Sequence, residues 1–95
     1  MITRINDMNK SEFIINLDKL HTTELGVERI KRNLSLDEGD VVLACREMIQ
    51  NPNALITRKG KNWYVVINDC EITINANSFT IITAHKMKKL MSGAL

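Results

Sequence analysis

A chain of 95 residues with 44% hydrophobic and 25% charged residues has the makeup of one globular domain and no room for a second core. Its formal net charge of +2 is too small to argue for nucleic acid by itself, because that footprint needs a clearly basic face. No apolar run approaches the roughly 18 residues that cross a bilayer, and Met1–Asp7 has neither signal-peptide nor transit-peptide character. Cys45 and Cys70 form no metal-spaced pair and fall where small apolar residues are expected. Together these features predict a soluble cytoplasmic protein with reduced core thiols and no membrane partner.

Helices come first along the chain. Ser11 is a good N-cap for a helix running to about Leu20, with Phe13, Ile14, Leu17 and Leu20 along one face. Thr22 or Thr23 can cap a second helix whose Val27, Ile30 and Leu34 share a stripe, and Glu24 suits the positive end of its dipole. A third helix is expected from about Glu38 to Gln50, stopped by Asn51-Pro52-Asn53.

From Ala54 the pattern becomes β-branched and alternating. Strands are expected near 54–59, 62–67, 70–76 and 79–85, joined at Gly60-Lys61, Asn68-Asp69 and Asn77-Ser78. Two-residue loops preserve alternation across each hairpin. One face then collects Ala54, Ile56, Trp63, Val65, Ile67, Cys70, Ile72, Ile74, Ala76, Phe79 and Ile81, with Thr83 and His85 continuing it to the sheet margin. The other carries Thr57, Lys59, Tyr64, Val66, Glu71, Thr73, Asn75, Thr80 and Ile82. The expected fold is α+β: about three N-terminal helices packed on one face of a four-stranded antiparallel meander. The single domain spans 1–95, with a helical layer over about 11–50, a sheet over about 54–86, and a short helix or tail over 87–95.

The only two histidines, His21 and His85, stand at element boundaries. If they met at that margin, they could share acid and base work without a metal. The basic run Arg58-Lys59-Gly60-Lys61 belongs to the opposite end of the sheet by strand dimensions. Nothing in the spacing suggests a zinc site, a phosphate loop or a nucleophile elbow, so no metal or cofactor is expected.

The segments His21–Ile30, Arg58–Tyr64, Ile72–Asn75 and Thr80–Lys86 are similar to a small bacterial family catalogued only as a domain of unknown function, over about residues 21–86. That resemblance implies no activity. His21, Thr83 and His85 also resemble, by type and order, an arrangement in the superfamily of small ribonuclease toxins typified by barnase, RelE and the colicin transfer-RNA nucleases. No glutamate base or arginine trio of the barnase or RelE kind can be assigned here.

Two function classes follow. In the first, the protein is a toxin-like, metal-independent endoribonuclease. His21 and His85 are its acid and base, Thr83 is a hydrogen-bond donor, and Thr22, Thr23, Gly26, Arg29 and Lys86 hold the RNA phosphate at the start of the second helix. In the second it is a non-catalytic module, an inhibitor or regulatory protein of a mobile element or small operon. That module takes a protein partner or forms a homodimer through Tyr64, Val66 and Ile82 on the outer sheet face, or through an edge strand. Convergent histidines in a cleft mark the enzyme; separated histidines and an apolar outer face mark the binder.

Overall fold

A computed structural model describes residues 11–36 and 39–87. Three helical segments precede a four-stranded antiparallel sheet of order β1-β2-β3-β4, the expected α+β architecture. The first segment is helical over residues 11–15 and tightens into a 3-10 turn at Leu17–Lys19. Ser11 is itself helical rather than a cap, and the expected tail beyond Met87 lies outside the described residues. Phe13, Leu17 and Leu20 are the buried positions of this segment.

Helix α1 spans Glu24–Leu34 and buries Gly26, Ile30 and Leu34. Thr23 is its cap: the hydroxyl accepts from Gly26 N–H at 3.0 Å. Ser35, in the left-handed region at φ 59°, ends it. Helix α2 spans Val41–Ile49, shorter at its start than the pattern suggested, because Asp40 caps it by accepting from Val42 and Leu43 N–H. Its Val41, Cys45 and Ile49 face inward.

The strands are β1 (Leu55–Lys59), β2 (Asn62–Ile67), β3 (Cys70–Asn75) and β4 (Ile81–Lys86). Gly60-Lys61 and Asn68-Asp69 are two-residue loops. Lys59 pairs with Asn62 and Ile67 with Cys70, and Gly60, Asn68 and Asp69 supply the positive φ that such loops need. The third connection is longer than the expected Asn77-Ser78. Asn75 Oδ1 accepts from the N–H groups of Asn77 and Ser78, and Phe79, at φ 60°, returns its N–H to Asn75 C=O. The local side-chain bonds compete with a tight hairpin and widen the turn.

Trp63, Val65, Ile67, Ile72, Ile74, Ile81 and Ala84 form the sheet's share of the core. Phe13 stacks on Trp63 with ring centroids 4.6 Å apart and on Phe79 at 5.8 Å, joining the helical layer to β2 and to the turn that leads into β4. A second seam is polar. His21 N–H donates to Phe79 C=O at 3.1 Å, Ile81 N–H donates to His21 C=O at 2.7 Å, and the Thr22 hydroxyl donates to Ile81 C=O at 3.0 Å. His21 thereby adds a one-residue parallel bridge to the edge of the sheet opposite Thr80.

One register feature departs from the simple alternation. Ile74 pairs with Ile81 but Thr73 pairs with Thr83, so Ile82 is an extra, bulged residue in β4. Beyond it the strand turns over. Ala84 enters the core fully buried, while Thr83 and His85 pass to the opposite face.

Two stability outcomes follow. Ala84→Leu overpacks the core and should cost about 1–3 kcal/mol, whereas His85→Leu should change stability by no more than about 0.5 kcal/mol, both read by urea denaturation; the reverse ranking would put the bulge elsewhere. A Cβ on Gly26 would collide with Thr22 Oγ1, so Gly26→Ala should destabilise by about 1–3 kcal/mol although alanine is normally the better helix former. In a Thr22→Ala background the same change should cost clearly less, because the closest contact is gone, and equal costs in both backgrounds would refute the clash.

Candidate functional site

The face of the sheet turned away from the helices is built in rows set by the register. Leu55, Val66, Glu71 and His85 form one row, and Thr57, Tyr64, Thr73 and Thr83 the next. Lys59, Asn62 and Asn75 continue the pattern, and the bulged Ile82 stands beside them. Among the described residues no helix packs over these rows. Leu55 is 65% exposed and Ile82 43%, yet Thr73 at the centre is only 7% exposed because its strand neighbours wall it in. Thr57, Lys59, Tyr64, Val66 and Glu71 line a depression of about 340 Å³ in this face. Its middle is mixed, with the hydroxyls of Thr57 and Tyr64 beside Val66, and Lys59 stands at one end and Glu71 at the other.

Polar contacts on the face are few. Asn62 Nδ2 reaches the Tyr64 hydroxyl at 3.4 Å. His85 Nε2 lies 3.5 Å from Glu71 Oε1, with side chains 41% and 31% exposed, and His85 Nδ1 is 3.3 Å from Lys86 C=O. Both ring nitrogens of His85 thus have partners on the strand or its neighbour, in the half-solvated setting where an ion pair contributes at most about 1 kcal/mol.

The expected meeting of His21 and His85 does not occur. His21 lies against the start of β4, its Nδ1 2.9 Å from Lys19 C=O and its Nε2 3.0 Å from Thr80 Oγ1. His85 is near the other end of that strand, about 15 Å along it at ordinary strand rise. The bulge at Ile82 also puts it on the outer face, correcting the expectation that it closes the core face. Thr83 goes with it and stands opposite Thr73. A proton relay between the two imidazoles has no common pocket in which to act.

The phosphate cradle expected at the start of α1 is likewise filled from within. Gly26 N–H is taken by Thr23 and Thr22 is tied to Ile81. What approaches Gly26 closely is the Thr22 side chain, so the missing Cβ answers a packing need rather than a ligand's. Arg29 is exposed on α1, and Lys86 is exposed at the far end of β4 from Thr22. These five residues are not gathered into one site.

Of the residues named for the binding alternative, Tyr64 and Val66 lie half-buried on the uncovered face, and Ile82 is the exposed, unpaired bulge residue of β4 beside it. The alternation of Ala54, Leu55 and Ile56 could have added Leu55, which the strand pattern passed over. His85 and Thr83 depart from the face that simple alternation predicts because the bulge at Ile82 reverses it. Cys45 is buried and free, and burial, with Cys70 nearby as the lesser cause, pushes its thiol up to about 12. It is a packing residue rather than a nucleophile.

Among the described residues no helix is long and apolar enough to cross a membrane. Neither a curated protein nor a solved structure matches the chain. A family profile does match, over residues 14–85, from the first helical segment to His85 on β4. The chain therefore belongs to the family described as "Protein of unknown function (DUF3781)".

Proposed function

We propose that this protein is a non-catalytic binding module whose uncovered sheet face holds an apolar segment of a protein partner. The observation that carries this reading is the face itself: Leu55 stands exposed beside Val66, which with Tyr64 lines a shallow depression, and exposed Ile82 stands across the sheet on β4. Four adjoining strands bring them together, so the surface is preformed and loses little entropy on binding. Exposed apolar side chains scattered singly need no account, but Leu55, Val66 and Tyr64 adjoin one another on one flat face, the usual mark of an interaction surface.

Its size favours a segment over a second copy. Four strands of about six residues cover roughly 19 by 20 Å, or about 400 Å². Even with side-chain relief added to this flat footprint, the face falls below the about 800 Å² of accessible surface per partner found in stable interfaces. A face-to-face homodimer would therefore be short of area. A segment laid across the depression would bury its own apolar side chains on both flanks. The start of the β4 edge is already occupied by His21, which closes that stretch to strand addition.

This geometry favours the binder over the ribonuclease reading, since the acid–base pair lacks a shared cleft while the binding residues share a face. The test is partner capture by tagged protein, with Val66→Glu and Ile82→Glu set against Leu25→Glu, a control at an exposed position on α1. The face variants should keep their thermal midpoints and lose the captured protein, with the control retaining it. Equal capture by all forms would sink the reading. A dimer in sedimentation that dissociates in the face variants would replace the partner segment with a second copy. Metal-independent RNA cleavage lost in both His21→Ala and His85→Ala would restore the enzyme.

A further inference from the structure

The hairpin tip joining β1 to β2 and the loop joining β3 to β4 lie side by side at one end of the sheet, with a depression of about 570 Å³ between them. Arg58, Gly60 and Lys61 form one wall, and Asn75, Ala76 and Asn77 the other. No carboxylate lines it. The walls are tied by the Ala76 N–H, which donates to Lys61 C=O at 2.9 Å, so the gap is set by backbone.

The donors in this depression are held in place beforehand. Arg58 Nε donates to Gly60 C=O at 3.0 Å, and its guanidinium carbon sits 5.5 Å from the Trp63 ring centroid. The bond and the cation–π contact fix the guanidinium plane and leave both Nη groups without a protein acceptor among the described residues. Opposite, Asn75 Oδ1 accepts three bonds, from Asn77 N–H and Ser78 N–H at 2.9 Å and from Ser78 Oγ at 3.2 Å. The carboxamide is thereby locked with its Nδ2 as the spare donor, and Asn77 adds a second amide side chain. Lys61 supplies a mobile ammonium at the rim.

The geometry points to an anion site here, and to a phosphate group as its ligand. Donors converge from two walls, and the arginine fork presents parallel N–H groups that match two oxygens of one phosphate. A tetrahedral oxyanion offers further oxygens to the asparagine amides and Lys61, where a planar carboxylate would leave that wall unmatched. The site borders the docking face at Asn75 but uses none of the face's apolar residues, so Val66→Glu and Ile82→Glu should leave it intact.

The test is a ¹⁵N-resolved titration of the full chain with inorganic phosphate and pyrophosphate at constant ionic strength, with chloride as reference. Saturable shifts should appear at Arg58 Nε–H, at the side-chain amides of Asn75 and Asn77, and at the backbone of Gly60 and Ala76. Pyrophosphate should bind more tightly. Arg58→Gln and Lys61→Ala should each weaken binding roughly tenfold, the usual scale for a charge-assisted hydrogen bond. Lys61 is exposed, so its variant reports binding even if Arg58→Gln disturbs the packing on Trp63. A third arm adds a single-stranded oligouridylate. Tighter binding than pyrophosphate with steep salt dependence would identify the phosphates as those of a nucleic acid backbone, and weaker binding would identify a small phosphoester; either upholds the site. Shifts that are absent, or spread over surface lysines and unaffected by both substitutions, overturn it.

Discussion

Ile74 faces Ile81, Thr73 faces Thr83, and the residue left between them, Ile82, has no partner on β3. A strand has a side-chain period of two, so one extra residue exchanges the faces of everything that follows. The exchange serves the core first. Ala84 is small enough to sit fully buried against α1, where His85 or Lys86 would have to leave a polar group without a partner. The consequence for the outer face is as large: Thr83 and His85 arrive beside Thr73 and Glu71, and Ile82 itself is left exposed. The character of the uncovered surface is thus set by what the core on the other side will accept.

The same strand carries the seam between the two layers. Ile81 gives its N–H to His21 and its C=O to Thr22, while its side chain is buried in the core. That arrangement needs the chain to reach β4 through the wide turn at Asn75–Thr80, because Phe79 must offer its carbonyl to His21 and its ring to Phe13 at once. His21 is consumed in this seam: both backbone groups and both ring nitrogens are engaged. Gly26 belongs to it as well, since α1 can start where it does only if no Cβ displaces the Thr22 hydroxyl from Ile81. Residues that read in sequence as a reactive cluster are the joint between helix and sheet.

Most of the architecture is legible in the sequence for plain reasons. Gly60 and the Asn68-Asp69 pair are the residues that tolerate positive φ, so they place two hairpins and fix the register of β1, β2 and β3. From that register the inward set from Trp63 to Ile74 and the outward set of Tyr64, Val66 and Thr73 follow without further information. The third turn and the bulge are harder. They arise from Asn75, whose side chain bonds both residues of the expected loop and draws it out into a wider turn, and from a competition among Ile81, Ile82 and Ala84 for the core that only three-dimensional packing decides. A cue existed: apolar residues at 81 and 84 break the period of two, and an alanine followed by histidine and lysine is the better core residue. The candidate site inherits this pattern. Its β1–β3 members could be read from alternation, whereas the positions of His85 and Thr83 depended on the one residue that alternation misses.

Alternation also separates the two surfaces at the β1 end of the sheet. Successive residues of β1 point to opposite sides, so Lys59 enters the docking face while Arg58 turns back over the edge of Trp63 toward the hairpin tip. An apolar segment laid on Tyr64 and Val66 would meet Lys59 and leave Arg58 in solvent. Conversely, an anion held by Arg58, Lys61 and Asn75 would not need the face to be vacant. Because the two cations answer to different surfaces, occupation of one should perturb the other only through Asn75, where the surfaces meet, and through the field of Lys59, which salt screens beyond about 10 Å at 0.1 M ionic strength.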